Sequence, residues 1–244
     1  MMRDVEEPRE SRPTLPDWGQ AGAPALGPGA RAWRLTAAFG LVPVIVLFLI
    51  PLGVPALIVG VVLVVYAATA LWWVTSQGKR ALAEAGAREP RPGELARLEN
   101  LVTGLAADLG VDAPALLVAD ADGPNAMVAK TSRPTIVVTT ALVEQFNRTE
   151  LEAALAHCLI RIVSGGAAAA QAGLAMGPLG AGFGGSVGKA DDIATAAVTR
   201  YPPALVSAIE KCSPHRGGRA ALWFVAESPS HVPATERIAA LVDL

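Results

Sequence analysis

Between Arg34 and Lys79 the chain runs 44 residues without a single Asp, Glu, Lys or Arg. One membrane-spanning helix needs about 20 apolar residues, so the gap is long enough for two spans and a turn. Pro51, Gly53 and Pro55 fall in its middle, where proline and glycine interrupt a helix. The reading is a two-helix transmembrane hairpin over 31–78, with spans near 33–50 and 54–73. Trp33, Trp72 and Trp73 stand at the ends, where an indole favours the membrane interface. The other reading is a buried hairpin of a soluble protein. No polar stripe marks a solvent face, which weighs against it.

Charge elsewhere sets the orientation and excludes other classes. Arg31 and Arg34 precede the gap, Lys79 and Arg80 follow it, and the turn is uncharged. The positive-inside rule then places both termini in the cytoplasm of a chain held in the cell (inner or plasma) membrane. Lys+Arg 20 against Asp+Glu 22 leaves a net charge of -2, so the basic face that nucleic acid requires is missing. Two cysteines cannot build a disulfide framework. Residues 1–30 scatter five prolines among mixed charges without apolar periodicity and read as a disordered cytoplasmic tail.

From about residue 90 to 244 the pattern is globular. Leu95, Leu98, Val102, Leu105 and Leu109 recur at helical spacing, with Gly110 as a stop. Strand-like runs follow at 115–119, 125–129 and 135–140, then a short helix at 141–146. Thr149 with Glu152 reads as a capping box for a helix with the apolar stripe Leu151, Leu155, Leu159 and Ile162. His157 and Arg161, four apart, share a face of that helix. The uncharged Ala/Gly-rich insert 165–188 reads as a flexible loop or a membrane-surface piece. A third helix is the weaker reading, because large apolar residues are few.

In order along the chain come Pro124-Asn125-Ala126-Met127, then Thr135-Ile136-Val137-Val138-Thr139, then the Glu150-to-His157 run. Ala190-Asp191-Asp192, Thr199 to Leu205, and His231-Val232-Pro233 with Arg237-Ile238 complete the series. In this order they resemble the HtpX-like membrane zinc metallopeptidases, relatives of the CAAX prenyl proteases. The resemblance implies an α+β fold: a transmembrane hairpin followed by a zincin-like (gluzincin) peptidase domain over 90–244. It also implies that Thr135, Ile136, Val137, Val138 and Thr139 form an edge strand able to take an extended peptide by β-addition.

The chemistry of that family departs at the residues that perform it. Its motif is H-E-x-x-H, two histidines binding zinc and a glutamate acting as general base. Here His157 is the one ligand position kept, Cys158 stands at the base and Arg161 at the second histidine. The stretch matching the third ligand, Ser186-Val187-Gly188-Lys189, has no carboxylate. Catalytic zinc needs three protein ligands, so no cofactor is expected and zinc hydrolysis is expected to be lost. A salt bridge from Arg161 to Asp191 or Asp192 is the expected replacement for the metal cross-link. The Cys158–His157 pair lacks an orienting third group and is not read as a thiol nucleophile. The leading reading is a membrane-anchored, inactive homologue serving as a scaffold or peptide- and protein-binding module, with membrane lipid as its other partner. Two readings stand beside it: an active metallopeptidase using His157 with Asp191 or Asp192, and an accessory subunit of a membrane complex packed through small residues such as Gly60.

Overall fold

A computed structural model describes residues 55–176, 188–228 and 231–244. The tail and the first expected span lie outside the described residues. Helix α1, Ala56–Glu84, is 29 residues long and contains the one helix among the described residues long and apolar enough by itself to cross a membrane. Leu57, Ile58, Val61, Val64, Val65, Leu71 and Trp72 on it are all exposed. The helix continues 11 residues past Trp73, where the expected second span stops. That continuation packs on the folded domain, burying Gln77, Gly78 and Ala81.

Four strands form one sheet: β1 (Ala87–Arg88), β2 (Ala115–Ala119), β3 (Ala126–Lys130) and β4 (Pro134–Thr139), in spatial order β1-β2-β4-β3. β4 runs parallel to β2 and antiparallel to β3. Side chains alternate between the faces, as strand geometry requires. Val118, Ala126, Val128, Ile136 and Val138 join the main core. Ala119, Met127 and Val137 join a smaller cluster with Ala81 and Trp223. One sequence expectation is corrected here. Thr135, Ile136, Val137, Val138 and Thr139 lie inside the sheet, between β2 and β3, and are no edge strand. Their unbroken apolar run is what a strand buried on both faces needs. The outer strand beside β4 is β3, which ends on the exposed Lys130.

The helices that follow are α2 (Ala96–Asp108, before β2), α3 (Thr140–Gln145), α4 (Arg148–Val163), α5 (Gly166–Ala175), α6 (Lys189–Thr199), α7 (Pro202–Lys211) and α8 (Ala234–Val242). α4 is the central element, packed against α2, α6, α7 and β3. It starts two residues earlier than a Thr149 cap would place it. Asn147 Oδ1 accepts from the Glu150 amide and Glu150 Oε2 accepts from the Asn147 amide, both at 2.9 Å. The capping box is therefore Asn147/Glu150, with Thr149 donating to Asn147 Oδ1. Asn wins because its side chain satisfies the orphan amides from the non-helical position before the first turn.

For the first part of the insert, the flexible-loop reading is corrected. Residues Gly166–Ala175 form a helix bent 68° from α4, while 177–187 lie outside the described residues. Gly165, at φ 73, makes the left-handed corner that a Cβ would strain. Alanine is the strongest helix former, and its small side chain lets α5 lie close against α1 and β3.

Candidate functional site

On α4, every residue from Ala153 to Arg161 is buried. His157, Cys158 and Arg161 therefore sit in the domain core, at 0%, 1% and 1% exposure. Burial pushes the Cys158 thiol up to about 12, so it carries no thiolate at neutral pH and cannot serve as a base. Burial also lowers the His157 pKa, against the pull of Asp192, and leaves the imidazole neutral.

Arg161 Nη2 donates to the Ala221 carbonyl at 2.6 Å, and Nη1 to those of Leu222 and Trp223 at 3.2 and 3.3 Å. These carbonyls close a single turn of 3₁₀ helix, Ala220–Leu222, whose last acceptors have no partner within the turn itself. Arg161 thus caps that turn from a different element. Of its expected partners, Asp191 Oδ2 is 3.9 Å from Nε, a long ionic contact without a hydrogen bond.

Asp192 goes elsewhere. Its carboxylate takes two bonds from Arg237 on α8, Nε and Nη2 each at 2.7 Å, with both residues 1% exposed. Asp192 Oδ1 also lies 3.2 Å from His157 Nδ1, without the alignment of a hydrogen bond. Its own burial opposes the charge, but the Arg237 guanidinium wins and holds Asp192 at about 2. The third arm of Arg237, Nη1, donates to the Phe224 carbonyl at 2.7 Å. His231 Nε2 meets the Trp223 carbonyl at 3.0 Å, and burial pushes this imidazole down to about 4.

Four successive carbonyls, from Ala221 to Phe224, are therefore held by Arg161, Arg237 and His231. The segment they anchor lies along the outer edge of β3. Phe224 donates its amide to the Ala126 carbonyl at 2.8 Å, and Trp223 bridges Met127 in antiparallel register. At the other end of β3, the Gln171 side chain acts like a strand residue. Its Oε1 accepts from the Lys130 amide and its Nε2 donates to the Lys130 carbonyl. The chain closes its own strand edge at both ends.

The residues present do not fit the zinc ion that the resemblance implies. Among the described residues no three His, Cys, Asp or Glu side chains gather to hold a metal. His157 Nε2 is buried without a hydrogen-bond partner among them, and Arg161 places a cationic head group where a second neutral imidazole would be needed. What the arrangement does is bind backbone carbonyls and a buried carboxylate.

The sequence reading singled out His157, Cys158, Arg161, Asp191 and Asp192, and the fold does bring α4 and the start of α6 together. It missed Arg237 and His231 as members of the same network. The available signal was Arg237 preceding Leu241 by four residues, a charge on the apolar face of α8, where both are buried.

No protein-family profile matches the chain, and no solved structure matches it. Over 74 residues, 30% of this chain, it is 38% identical to a protease HtpX homolog of Dictyoglomus turgidum. The match spans 24% of that protein's length. With a mixed α and β fold behind an apolar helix, this similarity supports a distant HtpX-like relationship.

Proposed function

We propose that the chain is a membrane-anchored, HtpX-like protein that does not hydrolyse peptides and serves as a scaffold or protein-binding module. The observation carrying this reading is the engagement of Arg161. Its guanidinium stands at the second histidine position and is committed to three carbonyls of its own chain. Asp192, the carboxylate that an atypical zinc site would recruit, is bound on both oxygens by Arg237. The occupied edge of β3 argues that a partner is met on another surface, because β-addition needs free strand amides and carbonyls. Metal analysis of the detergent-purified full chain, run beside a casein cleavage assay, tests the proposal. Zinc far below one ion per chain, with no cleavage above background, is the expected result. One zinc per chain with cleavage abolished by His157→Ala would overturn it.

A further inference from the structure

We propose that Lys79, Arg80, Lys130 and Arg133 form one surface for the anionic headgroups of the membrane that α1 enters. The inference rests on the membrane reading of α1 and extends it to the folded domain. Its geometry starts at Gly78, where a Cβ would stand 2.2 Å from the Lys130 carbonyl oxygen. Helix and strand touch there backbone to backbone, which fixes the height of Lys130 along α1. Met127, three residues earlier on β3, shares a small cleft with Ala81, Glu84 and Ala85. β3 thus runs antiparallel to α1, from its C-terminal end toward its apolar part, and the 131–133 turn continues in that direction. Gly78 is five residues past Trp73, about 7.5 Å along the helix at 1.5 Å per residue. α5 runs the same way, from Gln171 at Lys130 to the Ala175 carbonyl, which accepts from Trp73 Nε1 at 2.8 Å.

The turn therefore approaches the level of Trp72 and Trp73, where the indoles mark the interface. Lys79, Lys130 and Arg133 are exposed, and the Arg80 guanidinium lies 4.1 Å over the Trp73 ring. Among the described residues none of the four pairs with a carboxylate. The segments building this end, 55–83, 123–143 and 164–176, contain no Asp or Glu. Four cations, whose one acidic neighbour on α1, Glu84, is paired with Arg219, match a lipid phosphate layer where they face a bilayer surface. Basic residues held within a screening length of such a surface are attracted to it.

The test uses the full chain carrying Ser132→Cys, labelled with acrylodan and placed in lipid nanodiscs. Cys158 and Cys212 are buried with raised thiol pKa values and stay unlabelled. Nanodiscs of phosphatidylcholine alone are compared with nanodiscs containing phosphatidylglycerol. Expected is a blue shift of the dye in the anionic discs, lost in about 1 M NaCl, where the screening length is about 3 Å. The shift is also expected to be lost on adding Lys130→Glu with Arg133→Glu, and to shrink with the milder Lys130→Gln and Arg133→Gln pair. The same dye at Asp122→Cys, at the far end of β3, should not respond. Equal emission in both discs, or an equal response at residue 122, overturns the headgroup surface while leaving the anchor intact. A salt-sensitive shift already present in pure phosphatidylcholine assigns the cations to acids of the chain itself and overturns it too. A chain that stays soluble without lipid overturns the membrane reading and this surface together.

Discussion

Asp192 and Arg237 show what a buried charge requires of its neighbours. Removing one partner of such a pair leaves the other uncompensated, at a cost of about 3–5 kcal/mol. Asp192→Asn is expected to lower stability by that amount in chemical denaturation. The pH dependence follows from groups whose folded pKa lies below the ordinary value. His231 sits at about 4 when folded against about 6.5 when free, so the unfolded chain binds more protons between these values. Stability is full above about pH 6.5 and falls by about 3 kcal/mol as the pH drops to about 4. Asp192, at about 2 when folded, continues the loss from about pH 4 to 2. A His231→Gln variant should make the upper part of this acid slope shallower, leaving the contribution of His157, whose pKa burial also lowers, and keep the lower part. Constant stability from pH 7 to 4 in the parent chain would contradict the assignment. Arg161→Met tests the carbonyl clamp. Amide exchange across 221–226 should accelerate while α4 stays protected, since only the segment loses its donors.

Among the elements, β3 matters most because it is the longer of the sheet's two outer strands and is closed by other parts of the chain. Open edges invite pairing with other chains, and covering them is a common protection. Gln171→Leu removes both bonds to Lys130 and leaves a part-buried amide unpaired, a cost of about 1 kcal/mol. Hydrogen exchange at Lys130 and an increased tendency to self-associate are the expected readouts. Gly78→Ala places a methyl group against the Lys130 carbonyl. It is expected to separate α1 from β3 and expose 77–84 to proteolysis, with α2 and α4 still protected. β2, β3, β4 and α2 were legible in the sequence, because two-residue and helical apolar periods are local, whereas β1, only two residues long, was not. The order of the strands was not. Val137 and Val138 look alike whether their neighbour is solvent or another strand, and only the position of β3 outside β4 distinguishes the two.

At the scale of the whole molecule, α1 joins the apolar stretch to the folded domain without a flexible joint. Its last turns pack against β3 and α5, so the proposed membrane anchor would hold the domain at a set height rather than tether it loosely. In sealed cells, Ser132→Cys is expected to react with a membrane-impermeant maleimide only after the cytoplasmic side is opened. Labelling of intact cells would reverse the proposed orientation. The second half of the polar network also belongs to this scale. α4, α6 and α8 carry His157, Asp192 and Arg237 from positions 35 and 45 residues apart in sequence, and packing alone brings them together.

The sequence by itself determined the 44-residue uncharged stretch, the helix and strand periods, and the placing of His157, Cys158 and Arg161 on one helix. Each of these is a matter of residue type and short spacing. Only the tertiary structure decided where these side chains turn. Arg161 faces carbonyls 221–223 rather than being held mainly by Asp191 or Asp192, and Asp192 belongs to Arg237. The reason is desolvation. A guanidinium and a carboxylate buried in one core must each find donors or acceptors at hydrogen-bond distance, and which ones lie within reach depends on how α4, α6, α8 and the 220–226 segment pack.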